Sequence, residues 1–217
     1  SGNVRANGQL TGSLAKPEFD CNVDFMGVTL MVDYLKTIYS FSTSVNINEQ
    51  LLTINPTEIR DINDHRGTLA GVITHTNFSN FKTNLKFTDL NDFQLLNTGS
   101  KDNDLFYGKA FADGGLTLTG PVNDLLLDAK FKGTKGTVIN IPLSSGFGGG
   151  DDGLIHFVSR DSTRTKSNYK RSGTLSGFAI NCMLNVTKDA EINIVLDEQQ
   201  GDKIRGRGAG DIKLELT

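Results

Sequence analysis

The chain has 217 residues, of which 22 are lysine or arginine and 25 are aspartate or glutamate, giving a net charge of −3. This balance offers no electrostatic basis for binding nucleic acid, and no run of about 18 apolar residues predicts a transmembrane helix. Glycine is plentiful, with 24 residues, and proline is scarce, with 4, which favours long strands joined by turns. Because the sequence opens inside a strand-like pattern without a signal peptide, we interpret it as a piece of a longer protein.

Alternation of apolar and polar residues predicts β-strands along most of the chain, with polar or glycine–proline turns between them. Short helices are predicted only at 31–37 and at 88–96. In the second stretch Leu90, Phe93 and Leu96 recur at three-residue spacing, and a loop is the equal alternative there. A flexible or disordered loop is predicted at about 144–173, where a glycine-rich stretch precedes a basic one. The alternative for the basic residues at 159–172 is a patch that contacts lipid headgroups. The predicted strands are 3–15, 18–25, 27–35, 38–47, 51–62, 66–76, 80–87, 105–120, 124–132, 135–143, 154–158, 174–187, 190–197 and 203–216.

The last thirty residues carry the clearest strand pattern. Residues 191–197 alternate between two faces, one apolar and one mostly polar, and residues 211–216 do the same after a polar turn. Between these stretches, Gly206, Gly208 and Gly210 fall on the apolar parity, so three successive positions of that face carry no side chain. An apolar surface hollowed in this way suits a molecule laid against it better than a tightly packed core.

The same parity rule predicts one apolar face along the whole chain. Either the strands close a sandwich or barrel around a filled core, or one sheet curls into an open apolar trough. Glycine on the apolar parity permits tight curvature and leaves room inside, and such a trough would bind acyl chains at about 0.8 kcal/mol per buried CH₂. The predicted trough-lining residues are Phe19, Cys21, Val23, Phe25, Leu69, Ile73, Leu85, Phe87, Leu116, Leu118, Leu125, Leu127, Phe131, Ile139, Ile141, Ile180, Cys182, Leu184, Ile192, Ile194, Leu196, Ile212 and Leu214, with the glycines Gly71, Gly206, Gly208 and Gly210.

No constellation of residues indicates catalysis. His65, His75 and His156 are isolated, no Cys/His metal spacing occurs, and no nucleophile motif is present. We therefore predict a non-enzymatic protein with no metal site and no cofactor. Cys21 and Cys182 both lie on the apolar parity, as two buried thiols or as one disulfide, and the sequence alone leaves both alternatives open.

Two segments of the chain share a glycine-spaced strand pattern. In the last segment, the residues of the pattern are Gly201, Asp202, Ile204, Gly206, Gly208, Gly210, Ile212 and Leu214. In the earlier segment they are Tyr107, Gly108, Ala110, Ala112, Gly114, Leu118, Gly120 and Pro121. With these residues the chain resembles the C-terminal domain of TamB, the translocation and assembly module subunit of the AsmA-like superfamily. The resemblance covers most of the chain and is firmest at 105–143 and 174–217.

The resemblance implies an all-β fold in which residues 1–217 form a single β-taco domain, a strongly curved, long-stranded sheet with an open apolar groove. It also implies a location in the periplasm of a diderm bacterium, with the parent protein anchored in the inner membrane by a segment outside this chain. The partners that it implies are phospholipid acyl chains, an outer-membrane barrel similar to BamA or TamA, and unfolded strands of outer-membrane proteins.

Two functions follow from the resemblance as expectations. The first is transfer of phospholipid between the inner and outer membranes along the groove. The second is support of outer-membrane protein assembly, for which open strand edges would pair with client strands. The alternatives are a strand-edge chaperone without lipid transfer, or a secreted β-solenoid, sandwich or adhesin.

Overall fold

A computed structural model of the protein describes residues 1–13, 16–103, 106–142, 177–197 and 200–216. These ranges contain thirteen β-strands and no helix. The strands are β1 (Asn3–Ser13), β2 (Lys16–Val32), β3 (Thr37–Asn48), β4 (Leu51–Asp61), β5 (Arg66–Thr76), β6 (Ser79–Thr98), β7 (Tyr107–Pro121), β8 (Leu125–Gly133), β9 (Val138–Pro142), β10 (Phe178–Val186), β11 (Glu191–Asp197), β12 (Asp202–Arg207) and β13 (Gly210–Leu216). The predicted flexible loop, its basic stretch and the predicted strand at 154–158 lie outside the described residues.

All thirteen strands belong to one open sheet. Its main path runs from β1 through β8 in chain order and continues with β10 and β13, while β9, β11 and β12 form a side branch. Neighbours from β1 to β8 are antiparallel, whereas β10 is parallel to β8 and β11 is parallel to β9. Because the outer strands do not pair with each other, the sheet is not a barrel. The prediction of an all-β fold with an open sheet is confirmed.

Strand β7 is the point at which the sheet branches. Residues 107–109 pair with β9, and residues 112–119 pair with β8. Between β8 and β9 the chain makes a bend, at which Thr187 Oγ1 donates a hydrogen bond to the Gly133 carbonyl and the Glu191 N–H donates to the Thr137 carbonyl. β8 and β9 therefore act as two pieces of one strand that the bend interrupts. β10 and β11, which pair with them, are interrupted in the same way.

The helix predicted at 88–96 is wrong, because these residues continue β6. The register of β6 against β7 shifts at three places along this stretch, and Asp89 and Asp92 take left-handed φ values of 54° and 48°. Each bulge inserts one extra residue into β6. Inward-facing positions are therefore three residues apart instead of two, and Leu90, Phe93 and Leu96 imitate a helical spacing within a strand.

Three other predicted boundaries also differ from the structure. The helix predicted at 31–37 is wrong, because β2 extends to Val32 and a turn with Lys36 at φ 52° leads directly into β3. The two strands predicted between 18 and 35 are the single strand β2, with a bulge after Phe25. The strand predicted at 203–216 is interrupted at 208–209, so that β12 pairs with β11 and β13 pairs with β10.

The distal half of β6 closes one end of the curved sheet against β3. The Tyr39 hydroxyl donates to the Gln94 carbonyl at 3.0 Å, and the Asn97 N–H donates to the Leu35 carbonyl at 2.8 Å. The Tyr39 ring stacks on Phe93 with centroids 5.2 Å apart. Strands that are three apart in the sheet thus meet directly, which shows how strongly the sheet curls here. We call this region the closed corner; its buried core is formed by Ile59, Leu90 and Phe93.

A buried carboxylate ties the closed corner together. The Asp61 side chain is fully buried and accepts hydrogen bonds from the backbone N–H groups of Asn63, His65 and Gln94 at 2.8, 3.0 and 2.8 Å. His65 Nδ1 lies 3.0 Å from the same carboxylate, and His65 Nε2 lies 3.4 Å from Asp92. Asp61 therefore links the turn between β4 and β5 to the distal half of β6.

Replacing Asp61 by asparagine should lower the free energy of unfolding by about 2–3 kcal/mol, because the amide NH₂ cannot accept the N–H bonds that the second oxygen receives. The matched control is Asp64→Asn in the same turn, where the side chain is 67% exposed and solvent screens its ion pair with Arg60, so this variant should lose much less stability than Asp61→Asn. Urea unfolding followed by circular dichroism measures both. Equal losses in the two variants would contradict the assigned role of Asp61.

Candidate functional site: the concave apolar face

One row of apolar residues crosses the sheet from β1 to β10. Residues that pair directly in neighbouring strands project from the same face. In the order of the nine strands, the row consists of Ala6, Val23, Val45, Ile54, Gly71, Leu85, Leu118, Leu127 and Ile180. We call this set the central row. It lies on the face that curls inward, because Phe131 projects from this face of β8 and packs against the buried core of the closed corner.

The register places the other predicted lining residues in rows beside the central row. Toward the closed corner, one row contains Leu69, Phe87, Leu116 and Cys182, and the next contains Phe131, Leu184 and Ile212. Leu214 is in register with Cys182, and Phe25 follows Val23 on the same parity of β2. On the other side of the central row, Cys21 and Ile73 share a row, and Phe19 and Leu125 lie near the strand ends.

Strands β3 and β4 contribute residues that the prediction left out. Val45 and Ile54 belong to the central row, and Ile47 and Leu52 belong to the row of Cys21 and Ile73. Their alternation along the sequence carried the same signal as that of the predicted residues, so parity alone was enough to find them.

The side branch extends the apolar face beyond the bend. Ile139 pairs with Ile192, and Ile141 pairs with Ile194, in the parallel ladder of β9 and β11. Leu196 departs from this pattern, because it lies at an irregularity in the pairing with β12 and is 47% exposed.

The opposite face of β11, which the sequence predicts to be mostly polar, is the more deeply buried one. Glu191 and Asn193 are 8% and 1% exposed. The Glu191 carboxylate binds Arg205 at 3.1 Å and Arg207 at 3.0 Å, and the hydrogen bond from Arg207 holds the pKa of Glu191 below its ordinary value. Asn193 Nδ2 donates to Asn140 at 3.1 Å. Ion pairs and a hydrogen bond between two side-chain amides thus stabilise the side branch on the face opposite to the apolar rows.

Most of the concave face is open. Among the described residues, ten apolar residues are buried, and half of these, Ile59, Leu90, Phe93, Leu96 and Ala112, belong to the distal half of β6 and the strands against it. Of the central row, Val45 alone is buried. At the β1 edge, Val4 and Leu10 project from the same face as Ala6 of the central row and are 60% and 74% exposed. The apolar face is therefore an open trough with one closed corner, rather than the filled core of a sandwich.

The glycines of the apolar face are of two kinds. Gly71 has φ +149°, and an added Cβ would lie 2.2 Å from the Asn84 carbonyl oxygen, so the backbone itself requires glycine there. At Gly208 and Gly210 an added Cβ would have nothing within 4 Å, and at Gly206 its nearest neighbour would be 3.6 Å away. None of these last three has a left-handed φ. Their effect is the space that they leave, whereas Gly71 serves the backbone.

These three open glycines border an apolar cavity of about 310 Å³. The cavity lies where β10 and β11 are interrupted at 187–190 and where β12 and β13 are interrupted at 208–209. Its other apolar lining comes from Val186, Ala190 and Ile192 and from Ile212, 37% exposed, on β13. The hollow predicted from glycine parity thus corresponds to a physical recess at the bend of the sheet.

The earlier glycine-spaced segment, in β7, has a different physical role. Leu90 pairs with Gly114, Phe93 with Ala112 and Leu96 with Ala110, so each large residue of the bulged strand faces a small one. Gly114 has φ +136°, and an added Cβ would lie 2.2 Å from a backbone oxygen of β8. This segment therefore makes room for the core of the closed corner.

The chemistry of the described residues is sparse. Cys21 and Cys182 are free thiols and not a disulfide, and both are half-buried where the other alternative had them buried. Burial together with the charge of Asp128 raises the pKa of Cys182. Within the described ranges, no group of three or more His, Cys, Asp and Glu side chains is arranged to hold a metal ion. No helix in those ranges is long and apolar enough to cross a membrane.

An open, strongly curled sheet with an unfilled apolar concave face defines a groove-forming β-protein. The chain belongs to the TamB C-terminal domain family, whose family model matches residues 56–217. This range includes both glycine-spaced segments and every strand from β5 onward, and it confirms the predicted resemblance. No curated protein and no solved structure matches the chain. Membership links the protein to the bacterial envelope, to outer-membrane partners and to the family's association with outer-membrane protein assembly and lipid transport.

Proposed function

We propose that the trough binds phospholipid acyl chains and carries phospholipid between the inner and outer membranes, without catalysing a reaction. The observation that supports this function is the central row, which stays apolar across nine strands while most of its members are only partly buried. An acyl chain laid on this face would contribute about 0.8 kcal/mol for each CH₂ that it buries.

The direction of the central row favours a conduit over a single pocket. The row runs across the strands, and its eight inter-strand steps of roughly 4.8 Å give about 38 Å along the sheet. The apolar face continues past the bend onto Ile139, Ile192 and Ile194. In the proposed function, this path lies in the periplasm of a diderm bacterium, and an outer-membrane barrel similar to BamA or TamA receives the protein at the outer membrane.

The test of the proposed trough uses two adjacent residues of β8 that face opposite ways. Leu127 lies in the central row, whereas Leu126 projects from the other face and is 44% exposed. We expect Leu127→Arg to abolish phospholipid co-purification and impair envelope integrity, because the guanidinium would have to be desolvated beneath the acyl chain. Leu126→Arg should leave both properties unchanged.

A photo-crosslinking residue at Phe131 or Ile194 should capture acyl chains, and the same residue at Leu126 should not. The proposed function would be refuted if Leu127→Arg retained normal lipid capture in a protein that circular dichroism shows to be folded. It would also be refuted if both β8 positions crosslinked lipid equally.

The exposed edge of the sheet supports a second candidate function, the binding of outer-membrane protein strands. All eleven residues of β1 are exposed, and within the described residues β1 pairs only with β2. The outward side of such an edge strand presents backbone N–H and C=O groups with which a client strand can pair by β-augmentation.

Proline at Asn7 or Gly8 tests edge pairing, because alternate N–H groups of an edge strand point away from its neighbour. The N–H group of one of these two residues points away from β2, so proline at that position removes no hydrogen bond within the sheet. The variant that keeps its melting temperature identifies this position. We expect it to bind an unfolded outer-membrane strand peptide several-fold more weakly while its lipid capture stays normal. If this variant binds the peptide as tightly as the unmodified chain does, β1 is not the client site.

A further inference from the structure

The hairpin tip between β5 and β6 contains an unusual residue for its backbone conformation. Thr76 pairs with Ser79, so Asn77 and Phe78 are the two central residues of the turn, with left-handed φ values of 50° and 56°. Two-residue turns of this kind favour Asn–Gly, because glycine has no Cβ to clash with the backbone. Phenylalanine at the second position therefore strains the turn.

The contacts of Phe78 inside the protein leave much of its ring in solvent. The ring stacks on His75 at 4.7 Å and on Phe19 of β2 at 5.1 Å, and the Phe78 N–H donates to His75 Nδ1 at 3.2 Å. Phe78 is nevertheless 57% exposed. A large aromatic side chain thus occupies a strained position without the burial that would offset the strain.

The surroundings of Phe78 favour an apolar, uncharged partner. Residues 76–81, T-N-F-S-N-F, carry no charge, and the charged side chains beside them are Glu49 and Lys82, which line a recess together with Asn77 and Asn80. The neighbouring tip between β7 and β8 presents Val122, which is 56% exposed and whose N–H donates to the Phe81 carbonyl at 3.1 Å. Both tips lie at the end of the strands away from the closed corner, where Ile73 continues the apolar face of β5 toward the turn.

We propose that this tip inserts Phe78 into the interfacial region of a lipid bilayer and so holds the rim of the trough, at the strand ends away from the closed corner, against a membrane. This inference rests on the proposed lipid function and adds a membrane contact on the rim, midway along the central row. Aromatic rings are favoured at the boundary between headgroups and acyl chains. The turn residues themselves carry no charge into that boundary, and the long side chains of Glu49 and Lys82 can keep their charged groups in water.

Tryptophan fluorescence provides a direct test, because the chain contains no tryptophan. In Phe78→Trp, vesicles of phosphatidylethanolamine and phosphatidylglycerol should shift the emission to the blue, and brominated acyl chains should quench it. The control is Tyr34→Trp in the turn between β2 and β3, at the opposite end of the sheet, where the side chain is 60% exposed. This control should respond to neither.

Phe78→Gly separates membrane contact from folding, because glycine suits the turn better than phenylalanine does. We expect this variant to stay folded and to bind the same vesicles roughly tenfold more weakly or worse, while it still captures detergent-solubilised phospholipid in the trough. Vesicle binding equal to that of the unmodified chain, or no spectral response in Phe78→Trp, would overturn the proposal and leave Phe78 as an internal contact between hairpins. Loss of lipid capture in Leu127→Arg is measured separately, so either idea can fail alone.

Discussion

Replacing Gly71 by alanine is expected to lower the free energy of unfolding by about 3 kcal/mol, because φ +149° is a conformation that residues with a Cβ rarely adopt. The added methyl group would also lie 2.2 Å from the Asn84 carbonyl oxygen, so β5 and β6 would have to separate at the central row. Loss of that pairing would open the sheet in its middle, between β5 and the longest strand, β6.

Gly208→Ala is the matched control for Gly71→Ala. The added Cβ has open space around it and φ there is not left-handed, so its effect should stay within about 1 kcal/mol and could be stabilising. Urea unfolding followed by circular dichroism compares the two variants under identical conditions. A similar loss of stability at both positions would mean that the two kinds of glycine are not physically distinct.

Replacing Gly206, Gly208 and Gly210 together by leucine should leave the protein folded and stop phospholipid transfer. The space next to these glycines is open, so three leucines meet no backbone atom closer than ordinary van der Waals contact at their Cβ positions. Their side chains would instead occupy the cavity of about 310 Å³ at the bend. The acyl path from the central row to the side branch would then be filled by the protein itself.

The triple alanine variant at the same positions is the control for the triple leucine variant, because three methyl groups leave most of the cavity empty. Transfer between donor and acceptor vesicles, with lipid capture by the isolated chain as a second measurement, distinguishes a blocked path from lost binding. Gel filtration should exclude aggregation through the more apolar edge of the leucine variant. Normal transfer by a folded leucine variant would show that the recess at the bend is not part of the path.

Local alternation was sufficient to predict most of the strands and the apolar face, because a strand exposes the same parity wherever it pairs. It failed where extra residues enter a strand. Leu90, Phe93 and Leu96 predicted a helix because three bulges reset the parity of β6, and a bulge depends on the neighbouring strand as much as on its own sequence. Parity therefore identified which residues are apolar together, but not which irregularities shape the sheet.

The pairing partners of the later strands could not be predicted from the sequence either. The sequence of residues 107–121 does not indicate that β7 pairs with two different strands. The pairing partner of a strand depends on the register of the whole sheet. The two kinds of glycine were also indistinguishable in the sequence. Gly71 and Gly208 both fall on the apolar parity of their segments, and they differ only in their backbone angles and surroundings. The ion pairs of Glu191 with Arg205 and Arg207 likewise depend on β12 folding back beside β11.

The order of the strands has a consequence for how the chain folds. From β1 to β8 every strand pairs with the one that precedes it, so these strands can be added one hairpin at a time with short loop closures. The parallel ladders of β10 on β8 and of β11 on β9 require the chain to return across the long connection between residues 142 and 177. We therefore expect the last forty or so residues to acquire protection from hydrogen exchange later than β2 to β7, which makes the recess at the bend one of the last features of the protein to form.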